Sequence, residues 1–144
     1  MHVEGLLRNK GDAVTTVPST TTVGDVVTVL AEHRIGALVV SDDGSGVVGI
    51  VSERDVVRAL AEHGDDLLSH EVASIMTCDV VTCELTTTVD ELAHWMTDRR
   101  IRHVPVVVGG RLAGIVSIGD VVKDRIRDLE TETQTLHEYI AQGR

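Results

Sequence analysis

Apolar residues fall along this chain in two spacings, short β-branched runs and longer stretches at three-and-four intervals, and the same order occurs twice. Val23, Val26, Val27 and Leu30 lie at i, i+3, i+4 and i+7, and Val89, Leu92, Ala93 and Met96 repeat those offsets. Each set predicts a helix with one apolar stripe facing a core. Thr22-x-x-Asp25 and Thr88-x-x-Glu91 stand at the starts of these helices as capping boxes. Val14 to Val17 and Val80 to Cys83 read as short leading strands, each followed by a threonine-rich turn. Beyond the helices, Ala37 to Val40 and Val47 to Val51 flank Asp42-Asp43-Gly44-Ser45-Gly46, while Val104 to Val108 and Leu112 to Val116 flank Gly109-Gly110-Arg111. Both are hairpin patterns.

The duplication is explicit in the residues. Thr20-Thr21-Thr22-Val23 returns as Thr86-Thr87-Thr88-Val89, and Arg34-Ile35 as Arg100-Ile101, both 66 residues on. Gly49-Ile50-Val51-Ser52 returns as Gly114-Ile115-Val116-Ser117 after 65, so the second hairpin is one residue shorter. Each copy ends in Asp-Val-Val and a basic residue, Asp55 to Arg58 and Asp120 to Lys123. We therefore divide the chain into an N-terminal segment (1–13), a first repeat (14–64), a linker leading into the second (65–79), a second repeat (80–127) and a C-terminal helix extension (128–144). The expected fold is α/β of the α+β type, a tandem pair of β-α-β-β-α repeats. A three-stranded sheet of this size cannot bury both its faces, so the copies should pack face to face about a pseudo-twofold axis. The last helix should run on to about Ile140. Val122, Ile126, Leu129, Leu136 and Ile140 keep a 4,3 spacing if Thr133 is admitted, as in a coiled-coil seam, although ordinary amphipathic packing is the simpler reading.

Composition narrows the function classes. A chain of 144 residues suits one domain and one core. With 42% hydrophobic residues but 1% aromatics, that core is aliphatic. A net charge of −10 repels nucleic-acid backbones, and the scarcity of aromatics removes the platforms on which single strands stack. Two cysteines, Cys78 and Cys83, make no disulfide framework and suit a reducing compartment. The N-terminus lacks a basic segment followed by an apolar one, and no apolar run nears the ~20 residues a bilayer span requires. These features place the protein in the cytoplasm with no membrane or nucleic-acid partner. Cys78 and Cys83 with His63, His70 and His94 match no usual zinc spacing. No nucleophile elbow or Walker loop occurs, so neither a catalytic residue nor a cofactor is assigned.

Gly-Ile-Val-Ser-x-x-Asp, present twice, is the motif richest in chemistry. Ser52 and Ser117 stand where a strand passes into a helix, among free backbone N–H groups that favour phosphate. Asp55 and Asp120, one turn later, are placed to accept hydrogen bonds from ribose hydroxyls. Ser-x-x-Asp is also a capping pattern, and taken alone it favours the cap.

Arg34-Ile35-Gly36-Ala37-Leu38-Val39-Val40, Gly49 to Asp55, Ile75-Met76-Thr77 and Arg100-Ile101-Arg102-His103-Val104-Pro105, in this duplicated order, resemble a CBS-domain pair, or Bateman module, over nearly the whole chain. The resemblance implies two clefts that take adenine nucleotides (AMP, ADP or ATP) or S-adenosylmethionine-like ligands. It implies ribose contacts at Asp55 and Asp120 and phosphate or ribose contacts at Ser52 and Ser117. The entering strands Thr16-Val17-Pro18 and Val81-Thr82-Cys83 resemble those that line the base pocket. Cys83 departs from the proline frequent at its position. Arg54, Arg102 and His103 would serve the Asp55 cleft, whereas Gly36 and Ala37 would face Asp120, and Val104 and Pro105 are further ligand-binding candidates. For Arg99 and Arg100 a solvated helix end is preferred. The function implied is a regulatory sensor of adenine nucleotides, probed by a separate effector protein and built as a homodimer. The alternative is a dimeric interaction scaffold whose serines and aspartates are caps alone.

Overall fold

The computed structural model describes residues 1–143. Five helices and five strands follow in the order α1 (Val3–Lys10), β1 (Thr16–Val17), α2 (Val23–His33), β2 (Ala37–Val40), β3 (Gly49–Ser52), α3 (Glu53–His63), α4 (Val89–Arg99), β4 (His103–Val108), β5 (Arg111–Ser117) and α5 (Ile118–Gln142). Two 3-10 turns, Gly64–Ser69 and Val72–Ser74, connect the repeats. The α/β repeat architecture is therefore present, with a long C-terminal helix. Arg144, the last residue of the expected helix extension, lies outside the described residues.

The first sheet has the order β1-β2-β3, β1 parallel and β3 antiparallel to β2, with Ala37 opposite Ser52. The second is two-stranded, β4-β5, with His103 opposite Ser117. The expected leading strand at Val80 to Cys83 is thus not formed. It contracts to a parallel bridge in which Cys83 N–H donates to Pro105 O at 3.0 Å and Cys83 O accepts from Val107 N–H at 2.9 Å. In the first copy the corresponding strand is also short, Thr16–Val17 in place of Val14 to Val17.

Helix starts follow the sequence closely. Thr88 and Glu91 close a complete capping box, whereas Thr22 accepts from Asp25 N–H at 3.2 Å without a bond in return. Val23, Val26 and Leu30 are buried, as are Val89, Leu92 and Met96, but Val27 is 37% exposed, so the α2 stripe is narrower than its spacing implied. The apolar interior is not one core. It divides into a cluster on the second repeat, another on the first, and a small one around Val23, Ala59 and Leu67.

That division arises from an exchange of segments. The chain leading into the first repeat docks on the second: Val3, Leu6 and Leu7 of α1 are buried among Leu92, Met96 and Val116. The chain leading into the second docks on the first, with Val72 buried beside Val26 and Leu38. The backbone bonds correspond. Val23 N–H donates to His70 O at 2.8 Å and Val72 N–H to Thr21 O at 2.7 Å; Val89 N–H donates to Met1 O at 2.9 Å and Val3 N–H to Thr87 O at 2.8 Å. Two glycines admit these segments. A Cβ on Gly49 would meet Met76 Sδ at 2.6 Å, and one on Gly114 would meet Leu7 Cδ1 at 2.9 Å. Burying three aliphatic side chains at roughly 1.5–3 kcal/mol each makes α1 part of the fold rather than a loose tail.

Candidate functional site

Ser52 ends β3 and caps α3, and Ser117 does the same between β5 and α5. Both capping boxes are complete. Asp55 N–H donates to Ser52 Oγ at 3.3 Å, while Asp55 Oδ2 accepts from Ser52 N–H at 2.9 Å and from Ser52 Oγ–H at 3.1 Å. In the second copy the same three bonds measure 3.3, 2.8 and 3.0 Å. The cap occupies one carboxylate oxygen in each case. A capping aspartate therefore keeps its Oδ1 for another partner.

A cleft of about 430 Å³ opens over Asp55. Its volume falls in the range of small-molecule sites. Ser52, Arg54 and Asp55 contribute from the start of α3, and Val81 from the chain leading to Cys83. Arg102 and His103 reach it from the second repeat. Arg99 and Arg100 line the same cleft while also forming the exposed end of α4. Arg100 caps that helix in the left-handed conformation, φ 54°, as Arg34 caps α2 with φ 53°.

The Asp55 cleft gathers some of the candidate residues and not others. Gly36 and Ala37, expected to face Asp120, line the Asp55 cleft. Ala37 pairs with Ser52 and Gly36 O accepts from Glu53 N–H at 3.0 Å, which holds both beside the start of α3. Gly36 then packs on the His103 ring, where a Cβ would lie 3.2 Å from Cε1. Thr16, Val17, Pro18, Thr82, Val104 and Pro105 do not line this cleft. Val17, Val104 and Pro105 are buried in the sheets, while Pro18 and Thr82 are exposed. Sequence reasoning missed Arg58, one turn beyond Asp55, Thr77 and Asp79 of the linker, and Val80 just after it. The i, i+3 step from Asp55 to Arg58 was the available signal for the first.

The electrostatics of the cleft are lopsided. Arg54, Arg58, Arg99, Arg100 and Arg102 line it against the carboxylates of Glu53, Asp55 and Asp79. Among the described residues, none of the five arginines has an ion-pair partner. Burial pushes His103 below its ordinary pKa and Arg102 adds to that, with Glu53 and Asp120 opposing, so the imidazole prefers to be neutral. Burial, with Glu84 beside it, pushes the Cys83 thiol up to about 12, which makes it inert packing. Cys78, by contrast, is exposed, and both cysteines are free.

The second motif is arranged differently. Lys10 Nζ donates to Asp120 Oδ2 at 2.6 Å and to Ile115 O at 2.7 Å. The hollow that reaches Asp120 lies between α1 and α5 and has about 100 Å³. Burial pushes the Asp120 carboxyl up, but Lys10 and the Ser117 donors outweigh it and hold the group below its ordinary value. No group of histidine, cysteine and carboxylate side chains suited to a metal occurs among the described residues. No helix among them is long and apolar enough to cross a membrane.

Comparison with known proteins gives the same architecture. The CBS domain family model matches residues 11–62 and 72–126. The chain is 48% identical to a CBS-domain containing protein from Agrobacterium tumefaciens of known structure, covering 87% of this chain and 99% of that one with a TM-score of 0.84. A CBS domain protein from Pyrobaculum aerophilum, solved in complex with AMP, is 34% identical with a TM-score of 0.77, covering 92% of this chain and 99% of that one. A mitochondrial CBS domain-containing protein of Arabidopsis thaliana is 39% identical over 126 residues, 85% of this chain and 61% of the relative's length.

Proposed function

Because the chain belongs to the CBS-domain family, we propose that it is a regulatory module that binds an adenine nucleotide in the Asp55 cleft and signals the occupancy to a separate partner. One observation carries this reading: a single cleft brings a helix-start carboxylate together with five arginines that have no ion-pair partner among the described residues. Asp55 Oδ1 would take the ribose hydroxyls. The N-terminus of α3 with Arg54, Arg58 and Arg102 would take phosphate, by charge-assisted bonds roughly twice as strong as neutral ones. Ala37, Ile50, Val80, Val81 and Ile101 supply an apolar wall for the base. The AMP found on the Pyrobaculum protein supports the ligand class. A thermal-shift panel of adenine, guanine and cytosine nucleotides tests it. Adenine nucleotides should stabilise the chain by about 2.7 kcal/mol at a hundred times Kd, and no shift at millimolar ligand would reject the reading.

A regulatory role needs no turnover, and we assign none: Ser52 Oγ–H is directed at Asp55 rather than at an imidazole. No cofactor is part of the reading beyond the nucleotide itself. Homodimerisation is supported by the outer face of α5, where Val122, Ile126, Leu129, Leu136 and Ile140 are each about half exposed. Free Cys78 and Cys83 in an acidic chain support residence in the cytoplasm. The scaffold alternative has one observation in its favour, the closure of both capping boxes by protein groups alone. Nucleotide binding decides between the two.

A further inference from the structure

The two repeats treat equivalent carbonyls differently. Ile50 and Ile115 hold the same place in β3 and β5. Ile50 O accepts Thr77 N–H at 2.8 Å, a backbone bond within the docked linker. From there the linker continues along the Asp55 cleft as its wall. In the second repeat the docked segment is α1, which ends at Lys10 and turns away at Gly11 with φ 99°. Its backbone does not reach Ile115 O. The Lys10 ammonium does, at 2.7 Å, and from the same position it donates to Asp120 Oδ2, the oxygen that also holds the Ser117 cap, at 2.6 Å.

We infer that Lys10 is an internal occupant of the second site: its ammonium neutralises the Asp120 carboxylate and fills the space beside it, where only a hollow of about 100 Å³ is found, so each chain carries one nucleotide, at Asp55. The count of one rests on the nucleotide reading above. The placement of Lys10 does not. The ion pair is sheltered, with side-chain exposures of 29% for Lys10 and 19% for Asp120. The ammonium also bridges two hydrogen-bond acceptors of the second repeat. Leu7, one turn earlier, fits against Gly114 and fixes the helix so that Lys10 arrives at this point. Lys10 is thus a residue that sets how many ligands the chain accepts.

The chain has two lysines, Lys10 and Lys123, so amine reactivity reads the first claim directly. In trace acetylation followed by peptide mass spectrometry, Lys10 should react several-fold more slowly than exposed Lys123, and Asp120→Asn should bring it close to Lys123. Equal rates in the unaltered chain would overturn the occupancy. Calorimetry with ADP reads the second. One site is expected in the unaltered chain and in Asp120→Asn, and a second should be gained in Lys10→Ala and lost again in Lys10→Ala/Asp120→Asn. Lys10→Met keeps the aliphatic stem against α5 and gives the same answer if Lys10→Ala folds poorly. Two sites in the unaltered chain, or one site persisting in both Lys10 variants, would overturn the inference. No heat in any protein would overturn the nucleotide reading and the count of one, while the acetylation rates still decide whether Lys10 holds Asp120.

Discussion

Replacing Asp55 with Asn separates the two roles that its geometry allows. Asp55 Oδ2 accepts two bonds from Ser52, at 2.9 Å from the N–H and 3.1 Å from the hydroxyl. An Asn side chain keeps one acceptor oxygen for that position, so the cap survives in weakened form and the fold should lose about 1 kcal/mol or less. The other carboxylate oxygen becomes an amide, which cannot accept the ribose hydroxyls. Losing a charge-assisted bond costs about 1.5–3 kcal/mol, or roughly ten- to a hundredfold in Kd. Ser52→Ala is the complementary change, since it removes the cap at about 1 kcal/mol and leaves the Asp55 charge in place. Urea denaturation and ADP calorimetry on both variants provide the assay. The account expects a roughly ten- to hundredfold loss of affinity with a small loss of stability for Asp55→Asn, and about 1 kcal/mol of stability lost with affinity largely kept for Ser52→Ala. Parallel losses in both variants, or unchanged affinity in Asp55→Asn, would refute a ligand role for the carboxylate.

Other expectations follow from single contacts. His103 is held below its ordinary pKa of 6.5 by burial, so the unfolded chain takes up the proton more readily. Its contribution to stability is complete above that value and is lost as pH falls through 6.5 toward the lower folded value; urea midpoints from pH 5 to 8 should show this slope, reduced in His103→Gln. Gly49→Ala forces a Cβ to 2.6 Å from Met76 Sδ and 3.0 Å from Thr77 O. It should cost about 1–3 kcal/mol as an overpacked contact, and an unchanged urea midpoint would contradict the docking of the linker on β3. Truncation after Arg127 removes Leu129, Leu136 and Ile140, so sedimentation equilibrium should show a dimer for the full chain and a monomer for the shortened one.

The local elements were legible because their signals are local. Thr88 with Glu91, and each Ser with the Asp three residues on, close their boxes within one turn, and the two hairpins lie where the glycine-containing turns put them. What escaped was contact made at a distance. Val3, Leu6 and Leu7 already carry the i, i+3, i+4 spacing of a helix, with Gly11 as its stop. Their purpose is set by Gly114 and Leu92 of the other repeat, to which no adjacent residue points. The leading strand at Val80 to Cys83 failed for a related reason. Strand propensity is satisfied only where a partner strand runs alongside, and only Cys83 meets one. In the site, Ser52, Arg54, Asp55, Arg102 and His103 were named and are gathered in one cleft. Gly36 and Ala37, which the sequence reading set opposite Asp120, line this cleft as well, beside the start of α3.

The most direct test of the account is a crystal structure of the chain grown with ATP at saturating concentration. The account expects the nucleotide in the cleft of about 430 Å³, with its ribose hydroxyls on Asp55, its phosphates among Arg54, Arg58 and Arg102, and Lys10 still on Asp120. A nucleotide bound with its ribose away from Asp55, or a cleft that stays empty at millimolar ATP, would contradict it.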